Sequence, residues 1–260
     1  MLKCAAVEHD VSSPAGKVTA GFFSFTEVTD PAAHRAYNEW HQLDHLPEQL
    51  PLPGIVFGQR WVSTPACRRA RAVDRPPLDA VQYVTLYLMT EPLEQTLSDF
   101  AALAARLRAE DRFFGPRRSH LSGPFAVDSA VAARRVLVSA AAVPFRPGTG
   151  VYVVVRAATP GHSAPATEGP EDEALLRVAP VAGVWRFSSA PELAGERWHP
   201  GEHRVTVCFL DGDPTAAAAQ LGPLLARSPG DEQRVVLAGP FETIVPGRWD
   251  WFDGAGAGAA

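Results

Sequence analysis

The chain lacks long apolar runs and blocks of like charge. No uninterrupted apolar stretch approaches the ~20 residues of a membrane-spanning helix, and the first residues carry no basic region followed by a hydrophobic segment. We therefore expect a cytoplasmic protein without a membrane partner. The net charge is -5 and basic residues are dispersed, so we also expect no nucleic-acid partner.

Cysteine is scarce as well. The three cysteines, Cys4, Cys67 and Cys208, are far apart and odd in number, which favours reduced thiols over a disulfide framework or a zinc site. Hydrophobic residues make up 46% and charged residues 20% of the chain, which is ordinary for a folded globular protein. Only the chain ends and the linkers are expected to be loose, and residues 249–260 are expected to form a flexible tail.

Two pairs of similar short sequence motifs indicate an internal repeat. The sequence LSGPF at residues 121–125 returns as LAGPF at residues 237–241, and an arginine precedes an aromatic residue at 60–61 and again at 186–187. Similar short motifs at similar spacing are typical of a tandem duplication. The expected organisation is an N-terminal lobe carrying the site (1–128), a connector (129–149), a degenerate C-terminal lobe (150–248) and the tail.

The hydrophobic periodicity predicts the same element order in both lobes. In the first lobe it indicates strands 18–28, 55–63, 81–89 and 120–127, with helices 31–45 and 91–108. Asp30 and Pro31 form a helix start, and Pro47 is expected to end that helix just after residue 44 or 45. The second lobe gives strands 150–157, 181–188, 204–210 and 234–245, with helices 171–178 and 214–227. Strand, helix, strand, strand, helix, strand is the ferredoxin-like order of an α+β protein.

The third strand predicts how the two lobes pack. Both of its faces are largely apolar, so neither side is expected to meet water. The simplest arrangement is two sheets packed face to face, an internal pseudo-dimer with a barrel-like interior. Tyr83, Thr85 and Tyr87 alternate along this strand, and we expect them to line a pocket inside the barrel.

The first helix carries the polar residues of greatest interest. A step of ~100° per residue places Ala33, Ala36, Trp40 and Leu43 on the side expected to meet the sheet. His34, His41, His45 and Glu48 then fall on the flank, with Tyr37 and Asp44 at the boundary. His34 is expected to be an ordinary surface group. His41 and His45, one turn apart, are candidate acid/base groups because histidine titrates near neutrality. They could also share a metal ion, but no second ligand cluster accompanies them and no metal is expected.

These residues resemble a known family. Four short segments carry the resemblance: Tyr37 to His41, Asp44 to Glu48, Leu52-Pro53-Gly54 and Gln59-Arg60-Trp61. Together they are similar to the EthD-like proteins of the dimeric α+β barrel superfamily. The resemblance implies a ferredoxin-like fold over residues 17–127 and a cleft between helix and sheet lined by the histidine before Leu-Pro, here His45. Members of that superfamily include cofactor-free isomerases, polyketide cyclases, monooxygenases and haem-dependent enzymes.

The sequence therefore leads to one main functional hypothesis. We expect a cofactor-independent isomerase, cyclase or lyase of biosynthesis that acts on a small enolisable or polyketide-derived carbonyl compound. The candidate catalytic residues are His45, His41, Tyr37, Arg60 and His120. The candidate substrate-binding residues are Trp40, Phe23, Phe25, Trp61, Tyr83 and Tyr87, with Asp44 and Glu48 as orienting groups. The alternatives are a monooxygenase, a haem enzyme with a histidine ligand, or a non-catalytic binding protein for a hydrophobic metabolite. The expected partner is a small-molecule substrate, with a homodimer left open.

Overall fold

The computed structural model describes residues 18–158, 172–195, 197–226 and 233–253, so most of the predicted tail lies outside the described residues. Nine strands are present in that part of the chain: β1 (Val18–Val28), β2 (Ile55–Val62), β3 (Val73–Asp74), β4 (Tyr83–Thr90), β5 (Arg117–Ala132), β6 (Gly150–Ala158), β7 (Val181–Ser189), β8 (His203–Leu210) and β9 (Gln233–Thr243). The α-helices are α1 (His34–Trp40), α2 (Leu46–Gln49), α3 (Pro65–Arg69), α4 (Leu93–Ala109), α5 (Asp172–Leu176), α6 (Pro191–Ala194) and α7 (Pro214–Leu225). The predicted strands and long helices match these elements closely, although β5 continues to Ala132, into the predicted connector.

Eight antiparallel strands close into a barrel. The strand order is β2, β4, β1, β5, β7, β8, β6 and β9, and β9 pairs again with β2. The short β3 attaches to the outer side of β9. Each half contributes four barrel strands, β1, β2, β4 and β5 in the first and β6 to β9 in the second. Numbered along the chain within a half, the strands lie side by side in the order fourth, first, third, second, which is the ferredoxin-like arrangement. The predicted α+β class and barrel are thus confirmed, whereas the origin of the two halves by duplication and the lobe boundaries stay predictions.

Side chains fill most of the barrel interior. Its walls contribute large apolar residues from both halves, including Phe23, Phe25, Trp61, Leu86, Phe125, Trp185, Phe187, Phe209 and Phe241. Along β4 it is Val84, Leu86 and Leu88 that point inward. Tyr83 and Tyr87 point outward, toward the helices. The expectation that these tyrosines line a chamber inside the barrel is therefore wrong, because the opposite half supplies aromatic rings that occupy the space.

The helices cover the outer faces of the barrel. In the first half, α4 packs on the sheet through Leu97, Phe100, Leu103 and Leu107. In the second half, α7 begins at the predicted Asp213-Pro214 cap, where the Asp213 carboxylate accepts hydrogen bonds from the backbone of Thr215 and Ala216. No helix in the described ranges is long and apolar enough to span a membrane.

Candidate functional site

The segment from His34 to Gln49 is one continuous helical stretch with a widened turn. It starts after Asp30, whose side chain accepts a hydrogen bond from the backbone N–H of Ala32 at 2.9 Å. Helix α1 passes into a π-helical turn at His41–His45 and then into α2. The expected stop before Pro47 is therefore wrong. Pro47 instead occupies the first turn of α2, where a missing backbone N–H is tolerated, and π turns of this kind often occur at functional sites.

The face of this stretch that meets the sheet is polar, which differs from the expected apolar face. His34, Tyr37, Asn38 and His41 are buried, together with Gln49. Leu43 is 65% exposed. The residues of the buried face recur at intervals of three to four, as a helix requires, and hydrogen bonds to the sheet hold two of them, His34 and Asn38.

A buried hydrogen-bond chain fixes this face. Asn38 donates from Nδ2 to the Tyr83 hydroxyl at 2.9 Å and accepts at Oδ1 from Arg60 NH2 at 3.0 Å. His34 Nδ1 lies 2.9 Å from the same hydroxyl. The ring of Phe252 stacks on His34 with centroids 4.0 Å apart. His34 is thus a buried structural group rather than the expected surface residue, and burial lowers its pKa to about 4.

The side chains of His41 and His45 lie next to each other on the helical stretch. Their ring centroids are 5.0 Å apart, and Trp40 stacks on His45 at 4.6 Å. Burial is the main reason that the pKa of His45 falls to about 3, and the nearby charges of Arg117 and Arg60 lower it further. The pKa of His41 is also well below its usual range for the same reasons. Both imidazoles are therefore neutral at pH 7.

Two arginines face these imidazoles. Arg60, on β2, is 2% exposed, and its guanidinium carbon lies 5.1 Å from the ring centroid of Tyr37. Arg117, at the start of β5, places its guanidinium 5.3 Å from the Trp40 ring and 5.1 Å from the Phe113 ring. Burial lowers the pKa of Arg117, and burial likewise raises the pKa of the neighbouring Tyr87 hydroxyl.

Several polar atoms in this region have no hydrogen-bond partner within the described part of the chain. They are Nδ1 of His41, Nδ1 of His45, Nε and NH1 of Arg60, Nε of Arg117 and the hydroxyl of Tyr87. Buried polar groups are normally paired, so a concentration of unpaired ones indicates a place where a ligand or water binds. We call these five residues together with Tyr37 the helix–sheet cluster.

The carboxylates of the same helical stretch turn away from the cluster. Asp44 accepts from Arg112 at 3.2 and 2.7 Å, and Glu48 accepts from the same guanidinium at 2.7 Å. Arg106 also reaches Glu48, at 3.1 Å. Neither carboxylate forms a hydrogen bond with a histidine within the described residues, and the orienting role expected for both stays a prediction. The cluster consequently holds two guanidiniums with no facing carboxylate among the described residues.

The other sequence candidates are distributed over three places. Trp40 and Tyr83 border the cluster, as described above. Phe23, Phe25 and Trp61 belong to the barrel interior, on the other side of the sheet. His120 Nε2 pairs with Glu27 at 2.8 Å, away from the two imidazoles. The roles assigned to all of these residues stay predictions, since only their positions are established.

Sequence reasoning missed several members of the site. Asn38 and Gln49 lie at helical spacing from His34, His41 and His45, so the spacing alone could have found them. Arg117 carried no comparable signal, because only the register of β5 against β1 brings it under the helix.

Comparison with known proteins gives a fold and no close relative. No protein-family model matches the chain. No curated protein sequence matches it either. Among solved structures, a putative chlorite dismutase aligns with a TM-score of 0.48 and 11% identity over 90% of this chain and 98% of that one. The encapsulated DyP-type peroxidase from Mycobacterium smegmatis aligns with a TM-score of 0.45 and 10% identity over 92% and 96%. Likenesses at this level concern the fold, a ferredoxin-like α+β barrel.

The comparisons correct two expectations from the sequence. The main hypothesis of a cofactor-independent isomerase, cyclase or lyase is contradicted, because the two similar structures bear the names of other enzymes, a chlorite dismutase and a peroxidase. The expectation of no cofactor is contradicted with it. The resemblance to EthD-like proteins is not confirmed. As to metals, the described residues contain no group of three or more His, Cys, Asp or Glu side chains that could hold an ion by themselves.

Proposed function

We propose that this chain is an oxidative enzyme that binds haem in the helix–sheet cluster, with His45 as the iron ligand, and acts on a small organic anion. The observation that carries the proposal is the set of unpaired buried nitrogens on His45, Arg60 and Arg117. An imidazole must be neutral to bind iron, and burial keeps His45 in that form at pH 7.

The neighbouring glutamine supports His45 as the ligand. The Gln49 amide lies 3.3 Å from Nε2 of His45, and its Oε1 has no partner within the described ranges. With the amide oxygen turned toward the ring, Nε2–H of His45 donates to it and both atoms are satisfied. The lone pair then resides on Nδ1, which is buried and has no hydrogen-bond partner in the described part of the chain. A metal-binding histidine is normally oriented in this way by a hydrogen bond to its other nitrogen.

The two guanidiniums suit anionic groups, either carboxylates of the cofactor or the charge of a substrate. Arg60 is held by Asn38 through one nitrogen and keeps Nε and NH1 for a ligand. Arg117 keeps Nε. Hydrogen bonds between charged partners are about twice as strong as neutral ones. A buried anion would therefore compensate two charges that the described carboxylates leave unbalanced.

Aromatic residues would keep water from the reacting groups. Trp40 covers one face of His45, and Phe113 meets the ring edge-on at 5.4 Å. Phe114 packs on Trp40 at 5.8 Å. Haem, when bound, supplies one-electron and peroxide chemistry. The protein residues then bind the anion, hold His45 neutral and keep the site dry.

Spectroscopy tests this proposal without an activity assay. The purified chain is titrated with haemin, and we expect a saturable Soret band that changes or disappears in His45→Ala and is restored by free imidazole. His199→Gln is the matched control, because His199 is exposed and lies outside the cluster. Absence of a Soret band beyond that of free haemin, or a wild-type spectrum in His45→Ala, would refute the haem assignment.

The unpaired guanidiniums also favour a second candidate, a non-catalytic binding protein for an organic anion. In that case haemin gives no specific spectrum, while small aliphatic carboxylates still raise the melting temperature of the wild type but not that of Arg117→Gln. The two outcomes separate the candidates because only the first depends on His45.

We also propose that the two halves arose by duplication and that only the first kept a ligand site between its helix and its sheet. Arg60 pairs with Thr85 across the sheet, and Arg186 pairs with Thr206 in the same relation. Pro124 on β5 lies opposite Phe22, and Pro240 on β9 lies opposite Tyr152. Phe22 and Tyr152 are both on the first strand of their half. A homodimer stays a prediction, as does the EthD-like resemblance.

A further inference from the structure

The barrel has two seams between its halves, and they are unequal. Strands β5 and β7 pair from Phe125↔Ser189 to Ala132↔Gly183. Strands β2 and β9 share only Trp61↔Thr243 and Val62↔Glu242. Because β9 ends at Thr243, the part of β2 that precedes Trp61 has no strand partner on that side.

The connector between the halves covers this gap incompletely. Its last 3₁₀ turn, Ala140–Phe145, places Phe145 edge-on to Phe57 with ring centroids 5.3 Å apart. Phe145 is still 48% exposed. A cavity of about 320 Å³ remains between β2, the connector and the end of the barrel. That volume lies at the lower end of the range of small-molecule sites, about 300–1,000 Å³.

The lining of the cavity suits a flat apolar molecule. Aromatic side chains surround it on several sides: Phe57, Trp61, Phe145 and Phe209. Ala182 and Gly150 leave room between them. Gln59, Arg146 and Thr243 supply the polar groups. A mostly apolar wall with several aromatic side chains and a few polar groups is the usual composition of a binding pocket.

The charge at the cavity is positive. Arg146 reaches Asp211 at 3.5 Å, while Arg135 already binds that carboxylate with two hydrogen bonds of 2.8 and 2.9 Å. Two guanidiniums therefore share one carboxylate, and the lining residues themselves include no Asp or Glu. The Arg146 guanidinium can donate hydrogen bonds to a second anion, which would be a carboxylate on the ligand.

This cavity is separate from the helix–sheet cluster. Successive residues of a strand point to opposite faces, so Gln59 and Trp61 face the cavity while Arg60 faces the cluster. We infer that the cavity at the β2–β9 seam is a second small-molecule site, which takes a planar aromatic monocarboxylate with its ring among the aromatic side chains and its carboxylate on Arg146.

Titration with 2-naphthoate, followed by calorimetry and by the fluorescence of Trp61 and the other tryptophans, tests the inference. We expect saturable one-site binding that weakens about ten-fold or more in Arg146→Gln, because a charge-assisted hydrogen bond is lost. Arg135→Gln is the matched control: it removes a guanidinium from the same carboxylate but does not line the cavity, and its Kd should stay within about three-fold of wild type. Ala182→Phe should abolish binding by filling the space.

Four results would overturn the inference. They are no binding at millimolar probe, equal weakening in Arg146→Gln and Arg135→Gln, unchanged binding in both Arg146→Gln and a folded Ala182→Phe, and loss of binding in Arg117→Gln. The last would place the probe in the helix–sheet cluster. None of these results depends on haem, so the inference and the proposed function can fail separately.

Discussion

Asn38→Leu is the substitution that most directly tests how the candidate site is held. Asn38 is fully buried and joins the helix to both Arg60 and Tyr83. Leucine is similar in size but removes one hydrogen bond to a charged group, worth about 1.5–3 kcal/mol, and two neutral bonds, to the Tyr83 hydroxyl and the His34 carbonyl, each worth about 0.5–1.5 kcal/mol. We therefore expect the free energy of unfolding to fall by about 3 kcal/mol.

Urea denaturation of the wild type, Asn38→Leu and the control Gln42→Leu measures this loss. Gln42 lies half-buried on the same helical stretch, and its substitution should change stability by no more than about 0.5 kcal/mol. The slope of the transition should stay the same in all three, since a changed slope would mean a changed denatured state. A loss below about 1 kcal/mol in Asn38→Leu would refute the view that this chain of hydrogen bonds holds the site.

Three further predictions address the fold and the histidines. Gly54 (φ +85°) and Gly247 (φ +83°) share a left-handed backbone, but a Cβ on Gly54 would lie 2.0 Å from Thr96 Oγ1 and one on Gly247 would meet nothing within 4 Å. Gly54→Ala should therefore destabilise the protein by about 1–3 kcal/mol more than Gly247→Ala in parallel denaturation curves, and equal losses would contradict this. The pKa values of His34 and His45 fall from 6.5 to about 4 and about 3 on folding, so the unfolded state binds more protons and stability should decrease as the pH falls below 6.5. His45→Gln should flatten that part of the stability–pH curve, and an unchanged slope would mean that His45 is not buried as described. Arg112→Ala, which releases Asp44 and Glu48, should speed hydrogen exchange at residues 44–48, more at low salt than at high salt, whereas no change would leave this ion-pair group without a structural effect.

The order of elements could be predicted because it depends on local patterns. The apolar, β-branched and aromatic runs of β1, β4 and β8, and the Asp-Pro starts of the helices, are properties of short segments. Which face of β4 would meet the barrel interior could not be predicted in this way. Both faces are apolar, and the choice is made by aromatic residues of the opposite half such as Trp185 and Phe187, which fill the interior.

The site itself was only partly predictable, for two physical reasons. A helical wheel assigns apolar residues to the buried side, but here His34 and Asn38 are buried because Tyr83 and Arg60 on the sheet satisfy their hydrogen bonds. Proline is expected to end a helix, but the π turn before Pro47 allows the helix to continue to Gln49. Both effects depend on contacts between distant segments.

The balance of charge around the matched arginines, Arg60 and Arg186, distinguishes the first half as a candidate for a ligand site. In the second half, the corresponding Arg186 forms an ion pair with Asp172 of α5. In the first half, the partner of Arg60 is the neutral side chain of Asn38, and Arg117 adds a second buried charge. Removing a charge from water without an opposite charge nearby costs several kcal/mol. The charges of Arg60 and Arg117 therefore destabilise the folded state, and a bound anion would reduce this effect. Stability and ligand binding are coupled at these two residues.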